Sequence, residues 1–315
     1  MSIKVVYVTG CLGFIGYHVT KACLDNGWYV RGIDKGTYAA NWNLLDDLKS
    51  YENFVFEHKD INDLDVLYEC DYIINTAAET HVDNSIANSD VFVRSNIDGV
   101  HHLLKMITEK HKFKMPILLH FSTDEVYGDI EDGAHSETDM LKPSNPYSAT
   151  KAAADMLVTA WARTYKVPYV IVRPTNNYGI GQYTEKFIPH TIKYLSLGKL
   201  APLHDGGLPV RTWLHVSDTA NAIIKIIEAG VVNEIYNISG NAECQNIIVA
   251  KKIVDLMGIK GDWKQYADFG VTRAGQDVRY SIDDTKLKSL GWSANAKFDK
   301  ELKLIVKHYT NNFVW

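Results

Sequence analysis

The chain has 315 residues, of which 46% are hydrophobic and 23% are charged, and its formal net charge is −5. This length and composition are typical of a globular α/β protein with an ample core, either one large domain or a domain with a smaller lobe. The acidic balance argues against binding to nucleic acid or anionic membrane, and no apolar run approaches the roughly 18 residues that span a bilayer.

The first half of the chain alternates short apolar runs with longer helical patterns. Strands are predicted at residues 4–9, 29–34, 54–58, 72–76, 118–122 and 169–174, and helices at 13–26, 91–111 and 147–165. This alternation predicts an α/β fold with a Rossmann-type, doubly wound parallel sheet. After Pro174 the regular alternation of strands and helices ends, and a smaller mixed α/β lobe is expected. One further strand, 213–216, is predicted to end at a helix N-cap in Ser217-Asp218.

A glycine pattern follows the first predicted strand and opens the first helix. Gly10, Gly13 and Gly16 suit a tight turn, the approach of a pyrophosphate and close helix–strand packing. Asp34 ends the next strand, where a carboxylate can bind ribose hydroxyls and would repel the extra phosphate of NADP. Lys35 beside it weakens this preference slightly, and a purely structural turn is the alternative. We therefore predict NAD as the cofactor.

Two pairs of residues at later strand ends extend this cofactor hypothesis. Asp60-Ile61 follows the third strand, where an adenine edge would lie, and Ala77-Ala78 ends the fourth strand with small side chains. Without the glycine pattern, neither pair would indicate a cofactor. Asp60-Ile61 would be interpreted as a strand end and Ala77-Ala78 as ordinary packing.

The residues that carry chemistry cluster after the fifth strand. Thr123, Asp124 and Glu125 place a hydroxyl and two carboxyls side by side, and Tyr147 and Lys151 lie four residues apart on one helix face. A tyrosine acts as a base near neutrality only if its phenolate is stabilised, which a nearby ammonium can do. A surface Tyr/Lys pair on an amphipathic helix is the alternative.

Cysteine and histidine usage indicates neither a metal site nor a disulfide framework. Cys11, Cys23, Cys70 and Cys244 are scattered, and no Cys or His lies at metal-ligand spacing. A reducing, cytoplasmic location without a bound metal is expected.

Taken together, these motifs resemble the extended short-chain dehydrogenase/reductase superfamily and, within it, the nucleoside-diphosphate-glucose 4,6-dehydratases. The resemblance covers nearly the whole chain, and its segments are the glycine loop, 34–39, 56–61, 77–83, 122–129, 147–151, 173–179, 185–186, Arg211, 279–280 and 290–292. The Asp124-Glu125 pair is its most specific part, because epimerases of the superfamily generally lack it.

The resemblance implies a role for each residue of the chemical site. Tyr147, assisted by Lys151, takes the proton of the sugar C4 hydroxyl while hydride passes to NAD, and Thr123 hydrogen-bonds the same oxygen. Glu125 then removes the C5 proton, Asp124 protonates the departing C6 hydroxyl, and hydride returns to C6. The product would be a 4-keto-6-deoxyglucose nucleotide, a step toward deoxysugars such as rhamnose.

The resemblance also implies which residues bind the two ligands. Those expected to bind NAD are Gly10, Gly13, Phe14, Ile15, Gly16, Asp34, Lys35, Thr37, Asp60, Ile61, Ala77, Ala78, Tyr147, Lys151 and Asn177. Those expected to bind the nucleotide sugar are Thr80, His81, Thr123, Asn176, Glu185, Lys186, Pro202, His204, Arg211, Asn246 and Arg279. Lys186, Arg211 and Arg279 suit a diphosphate, and a solvated surface charge is the alternative for each.

The chain departs from the bacterial thymidine-diphosphate enzymes at the expected base pocket. It carries His204 where those enzymes usually have Tyr, Thr212 where they usually have Asp, and Gln276 where a His is usual. Uridine is therefore a credible base, and UDP-glucose is expected to serve at least as well as dTDP-glucose.

The expected organisation follows from the same resemblance. Residues 1–175, joined by roughly 211–240, form the NAD-binding domain, and 176–210 with 241–315 form the substrate lobe. A homodimer through the helices at 91–111 and 147–165 is expected, with no nucleic-acid or membrane partner. The rival hypotheses are a nucleotide-sugar 4-epimerase, which has no use for Asp124-Glu125, and a non-enzymatic NAD-binding sensor.

Overall fold

The computed structural model describes residues 3–110 and 114–311, and parallel strands form its centre. The strands are β1 Val5–Thr9, β2 Tyr29–Asp34, β3 Phe54–His58, β4 Tyr72–Asn75, β5 Ile117–Phe121, β6 Tyr169–Pro174, β7 Asn176–Tyr178, β8 Ala201–Pro202, β9 Val210–His215, β10 Glu234–Ile238, β11 Ala242–Gln245 and β12 Ala267–Asp268. Seven of them build one parallel sheet in the order β10-β6-β5-β4-β1-β2-β3. The predicted fold class is confirmed.

Helices cover both faces of this sheet and build the smaller lobe. They are α1 Phe14–Asp25, α2 Leu45–Lys49, α3 Val82–Ala87, α4 Asp90–Phe92, α5 Gly99–Lys110, α6 Pro146–Tyr165, α7 Phe187–Ser196, α8 Val216–Ala229, α9 Asn246–Leu256, α10 Thr285–Lys288 and α11 Phe298–Asn311. Apolar residues of α1 and α8 join the core on one face, and those of α5 and α6 join the core on the other. Strands buried on both faces explain the continuous apolar runs in the sequence. No helix in 3–110 or 114–311 is long and apolar enough to cross a membrane.

The helix predicted at 91–111 is interrupted. A π-helical segment, Val93–Asp98, joins α4 to α5, and residue 111 lies outside the described residues. The wider turn carries Asn96, whose side chain accepts from the backbone amide of Glu79 at 2.9 Å and donates to the hydroxyl of Thr150 at 2.9 Å. Asn96 thus fixes the segment after β4 to helix α6.

A three-stranded sheet in the order β11-β9-β7 forms the centre of the smaller lobe. Strand β9 runs antiparallel to β11 and parallel to β7, and Trp213 packs there with Tyr178 and Phe298 in a separate core. Strand β10 instead joins the central sheet beside β6. The domain limits drawn from the sequence stay a prediction.

The N-cap predicted at Ser217-Asp218 is wrong by two residues. Strand β9 already ends at His215, whose ring nitrogen accepts from the amide of Ser217 at 3.4 Å and caps α8. Asp218 lies inside the first turn, where its carboxylate accepts from the amides of Asn295 and Ala296 at 3.1 and 3.0 Å. The side chain that looked like a cap therefore anchors the segment before α11.

The strand order places a crevice at the carboxyl end of the sheet. Strand β1 lies between β4 and β2, so the chain leaves β1 and β4 in opposite directions across the sheet. Ligands of open α/β sheets bind at such a switch point. The turns after β1, β2, β4, β5 and β6 meet there.

Candidate active site

One cleft with two adjoining compartments lies at the switch point. Five residues line both compartments: Thr80, Glu125, Asn176, Glu185 and Lys186. The first compartment contains every residue predicted to bind NAD except Lys151: Gly10, Gly13, Phe14, Ile15, Gly16, Asp34, Lys35, Thr37, Asp60, Ile61, Ala77, Ala78, Tyr147 and Asn177. The second contains most of the residues predicted to bind substrate: Thr80, His81, Asn176, Glu185, Lys186, Pro202, His204, Arg211 and Asn246.

The glycine loop in the first compartment tolerates no side chain at two positions. Gly10 has φ +72°, and a Cβ there would lie 2.8 Å from the Cα of Ala77. A Cβ at Gly16 would lie 2.0 Å from the carbonyl oxygen of Gly10. Gly13 is the N-cap of α1 and supplies no side chain to the first amides of the helix. This cradle fits the pyrophosphate of a dinucleotide.

Asp34 connects the glycine loop to the end of β2. Its carboxylate accepts from the amides of Leu12 and Gly36 at 2.9 and 2.8 Å, and it lines the cleft. Burial raises the pKa of Asp34, and the two amides oppose that shift. The ammonium of Lys35 lies 3.5 Å from the carboxylate of Asp60. The charge of Lys35 is thus partly balanced by Asp60, and Asp34 remains the group that would repel the extra phosphate of NADP.

Local capping fixes the position of Tyr147 at the start of α6. Asn145 caps the helix through a capping box with Ser148, and Pro146 takes the first helical position. Tyr147 therefore sits in the first turn with only 7% of its surface exposed. Lys151, one turn later, is buried and donates to the carbonyl oxygen of Phe121 at 2.6 Å. Lys151 does not line the cleft itself.

The pKa values of this pair follow from burial. Burial lowers the pKa of Lys151 to about 8, while Asp155 opposes the shift. Burial, and secondly the charge of Glu125, raise the pKa of Tyr147, and a hydrogen bond with Thr123 lowers it. The lowering that a tyrosine base needs is therefore not produced by the protein's own groups. A cationic ring in the first compartment is the kind of ligand that would produce it.

The two adjacent carboxyls have unequal environments. Burial, and secondly the neighbouring Glu125, raise the pKa of Asp124 to about 8. Burial also raises the pKa of Glu125, but Arg211 and a hydrogen bond from Asn145 lower it. Asp124 can therefore hold a proton near neutrality, while a cation and a hydrogen-bond donor favour the ionised form of Glu125. One member of the pair is suited to act as an acid and the other as a base.

The cleft presents buried polar atoms without partners, most of them in the second compartment. Within the part of the chain that the structure describes, these unpaired atoms include His81 Nδ1, Asp124 Oδ2, Asn176 Oδ1, His204 Nδ1 and Asn246 Oδ1. All five residues line the cleft. Buried polar groups are nearly always hydrogen-bonded, so this set fits a ligand rich in donors and acceptors. The described residues contain no group of three or more His, Cys, Asp or Glu that could hold a metal ion.

Arg279, which was predicted to bind substrate, lies outside the lining of the cleft. Its guanidinium pairs with Glu243 and donates to the carbonyl oxygen of Gly133 at 3.0 Å, and it does not line the cleft. Its place is taken by Arg273, which the sequence did not indicate. Arg273 lines the second compartment and holds Asp83 in a bidentate pair at 2.6 and 2.7 Å.

Sequence reasoning also missed the network around Glu125. Tyr280 donates to the carboxylate of Asp277 and lies 3.5 Å from that of Glu125. The guanidinium of Arg211 stacks on the Tyr280 ring, 4.4 Å from its centroid, and donates to the carbonyl oxygen of Asp277 at 3.0 Å. Arg211 and Tyr280 occur in the resemblance, and their placement around Glu125 required the structure.

The Rossmann sheet, the glycine cradle and the Tyr147–Lys151 pair define a dinucleotide-binding protein of the short-chain dehydrogenase/reductase class. Residues 7–305 match the model of the family described as GDP-mannose 4,6 dehydratase. The chain belongs to this family of NAD-dependent nucleotide-sugar 4,6-dehydratases, which are lyases.

Individual relatives agree with this assignment. The chain is 39% identical over 334 residues to the dTDP-glucose 4,6-dehydratase of Haemophilus influenzae, covering 98% of each chain. It is 38% identical over 324 residues to a trifunctional UDP-glucose 4,6-dehydratase, epimerase and reductase of Arabidopsis thaliana, covering 99% of this chain and 48% of that protein. The crystal structure of the dTDP-glucose 4,6-dehydratase DesIV from Streptomyces venezuelae, with NAD and TYD bound, superimposes with a TM-score of 0.91 at 35% identity and covers 98% of this chain and 97% of that chain.

Proposed function

We propose that this protein converts UDP-glucose, dTDP-glucose or both to the 4-keto-6-deoxyglucose nucleotide, with NAD recycled inside each turnover. The observation that carries the proposal is the single cleft in which Asp124, whose pKa burial raises to about 8, and Glu125 adjoin Tyr147. The product would feed the synthesis of deoxysugars such as rhamnose.

Each acid or base would act at a different sugar atom. Tyr147 accepts the proton of the C4 hydroxyl, and Thr123 hydrogen-bonds the same oxygen. Bound NAD supplies the hydride acceptor for C4 and the hydride donor for C6. Once C4 is a ketone, the C5 proton is acidic, and Glu125 removes it. Asp124 gives its proton to the C6 hydroxyl, which leaves as water.

The residues around the cleft support these assigned roles. Asn145 and Tyr280 both lie 3.5 Å from Glu125 Oε2, so they hold the proposed base in place from two sides. Lys186 donates to the backbone carbonyl and the hydroxyl of Thr80 at 3.0 and 2.9 Å. We assign Lys186, Arg211 and Arg273 to the diphosphate, because they are cations that line the second compartment.

The proposal is tested by identifying the product made from UDP-glucose and from dTDP-glucose without added NAD. The expected product is lighter than the substrate by one water and carries a C6 methyl group and a C4 ketone. An isomer of unchanged mass would favour a 4-epimerase, and binding of NAD without turnover would favour a sensor.

For the base, we propose that both nucleotides are accepted, with UDP-glucose at least as good a substrate. Pro202 and His204 line the second compartment, and burial lowers the pKa of His204. An imidazole offers less surface than a tyrosine ring for packing against the thymine methyl, and one methyl contributes only about 1 kcal/mol. Comparing kcat/KM for the two substrates tests this, and a preference for dTDP-glucose beyond about a hundredfold would contradict it.

We also propose a cytoplasmic homodimer formed by the helices of 90–110 and α6. Apolar side chains are exposed on these elements: Val91 is 47% exposed, Val93 41% and Met156 59%. Exposed apolar side chains are unfavourable in water. Burying them against a second copy of the same helices would remove them from solvent. A four-helix bundle is the expected arrangement.

A further inference from the structure

The proposed reaction leaves two side chains in the wrong protonation state. If the proposed function holds, Tyr147 ends a turnover with the proton of the C4 hydroxyl. Asp124 ends it without the proton that left in the water. Glu125 returns its proton to C5, so its own state is restored. The next turnover therefore requires one proton to move from Tyr147 to Asp124.

One hydroxyl lies between these two groups. Thr123 donates a hydrogen bond from Oγ1 to Asp124 Oδ1 at 3.2 Å. The same hydroxyl lies close enough to Tyr147 to lower the pKa of its phenol. It also accepts from the amide of Glu125 at 3.3 Å, which fixes its orientation as the N-cap of the following turn. A hydroxyl has one proton and two lone pairs, so it can serve all three partners at once.

Direct exchange with water is restricted at all three residues. Tyr147 and Thr123 are each 7% exposed, and Asp124 is 3% exposed. A bound sugar would cover the cleft side of these groups further. A proton would therefore travel a shorter distance from Tyr147 to Asp124 through the protein than through solvent.

We propose that Thr123 carries the proton from Tyr147 to Asp124 between turnovers. The Tyr147 O–H bond breaks as its proton forms a new bond to Thr123 Oγ1. At the same time the original Thr123 O–H bond breaks and its proton bonds to Asp124 Oδ1. The products are the Tyr147 phenolate and the protonated Asp124, and no other reactant is needed.

The carboxyl of Asp124 can then present this proton to the substrate. Its other oxygen, Oδ2, is buried and has no partner within the described residues. The terminal torsion of an aspartate is soft and two-fold, so a half-turn exchanges the two oxygens. The proton received on Oδ1 can thus pass to the position of the unpaired Oδ2.

The test compares the first turnover with later turnovers in Thr123→Val and Thr123→Ser. The Val variant is expected to form about one product per site at a rate near its own maximum and then to slow by 10-fold or more, because general acid–base groups contribute roughly 10²–10⁴-fold. Its later rate should rise with the concentration of imidazole buffer at fixed pH and ionic strength. The Ser variant keeps the hydroxyl and should show neither the slow phase nor the buffer dependence.

Equal slowing of the first and later turnovers in Thr123→Val would overturn the relay, since Thr123 would then act only during C4 oxidation. The wild-type protein provides a second measurement should the Val variant not fold. Its kcat is expected to be independent of imidazole concentration, and a kcat that rises with buffer would also overturn the relay. Failure of the wild-type protein to release water from either nucleotide sugar would instead refute the proposed function.

Discussion

At the scale of single residues, the contrast between Asp124 and Glu125 decides the chemistry. Both carboxyls are buried, yet Arg211 and Asn145 favour the ionised form of Glu125, while the charge of Glu125 disfavours ionisation of Asp124. The sequence predicts the pair because its members are adjacent in the chain. It does not reveal that Asn145 hydrogen-bonds Glu125, or that Arg211 opposes the raised pKa of both carboxyls.

The raised pKa of Asp124 predicts how the rate depends on pH. An acid must be protonated to act, and the pKa of Asp124 is about 8, so kcat/KM for water release should fall as pH rises through about 8. A pH profile of the purified protein checks this. A rate that stays level to pH 10 would show that Asp124 is not the acid.

Replacing Glu125 by Gln should separate oxidation at C4 from elimination. Tyr147 can still accept the C4 proton, but no base removes the C5 proton, so reduced nicotinamide should accumulate and water release should fall by roughly 10²–10⁴-fold. Absorbance of the reduced ring measures the first step. Tyr147→Phe is the matched control and should give no reduced nicotinamide. Normal turnover of Glu125→Gln would show that Glu125 is not the base that removes the C5 proton.

Arg273 and Arg279 provide a matched pair of substitutions. Arg273 lines the second compartment, whereas Arg279 is held outside it by Glu243. Arg273→Ala should raise KM for the nucleotide sugar by 10-fold or more, at about 1.4 kcal/mol per tenfold, and Arg279→Ala should raise it less than threefold. The reverse order would restore the sequence-based assignment. The sequence could not separate these two arginines, because position in a motif does not give the direction of a side chain.

At the scale of elements, strands were more predictable than helix interruptions. Strands β2, β3 and β6 match their predicted limits at both ends, because each is rich in β-branched and aromatic residues and is bounded by turn residues. The π-helical segment within 91–111 was not predicted, since one extra residue in a turn leaves no clear sequence pattern. Arg273 was missed for a related reason, as it lies in a loop without periodicity.

Replacement of Gly16 should disturb both the glycine loop and helix α1, so that stability and NAD binding decrease together. In Gly16→Ala the new Cβ would lie 2.0 Å from the carbonyl oxygen of Gly10, so the loop or the helix must shift. We expect a loss of about 1–3 kcal/mol in the free energy of unfolding and less NAD in the purified protein. Denaturant unfolding and the nicotinamide content measure the two effects.

Gly270→Ala is the control for this substitution. Its Cβ would meet only the side-chain oxygen of Asp268 at 3.3 Å, and that side chain can move. Retention of full NAD content by Gly16→Ala would contradict the proposed role of the cradle.

At the scale of the whole molecule, the exposed face of α6 predicts self-association. Met156→Glu should convert a dimer to a monomer, because it places a charge on the apolar face that a second copy would cover. Leu256→Glu is the control, since Leu256 is 40% exposed on α9 in the smaller lobe. Light scattering at micromolar concentration gives the mass of each variant. A monomeric wild-type protein would contradict the proposed assembly.

The fate of the hydrogen at C4 tests the central claim most directly, because internal recycling of NAD requires that hydrogen to stay with the same sugar. The measurement uses UDP-glucose and dTDP-glucose carrying deuterium at C4, with no NAD added, and locates the label in the product by NMR. Internal recycling predicts deuterium in the C6 methyl group of a 4-keto product. Deuterium retained at C4 of an isomer, or lost to the medium, would contradict it.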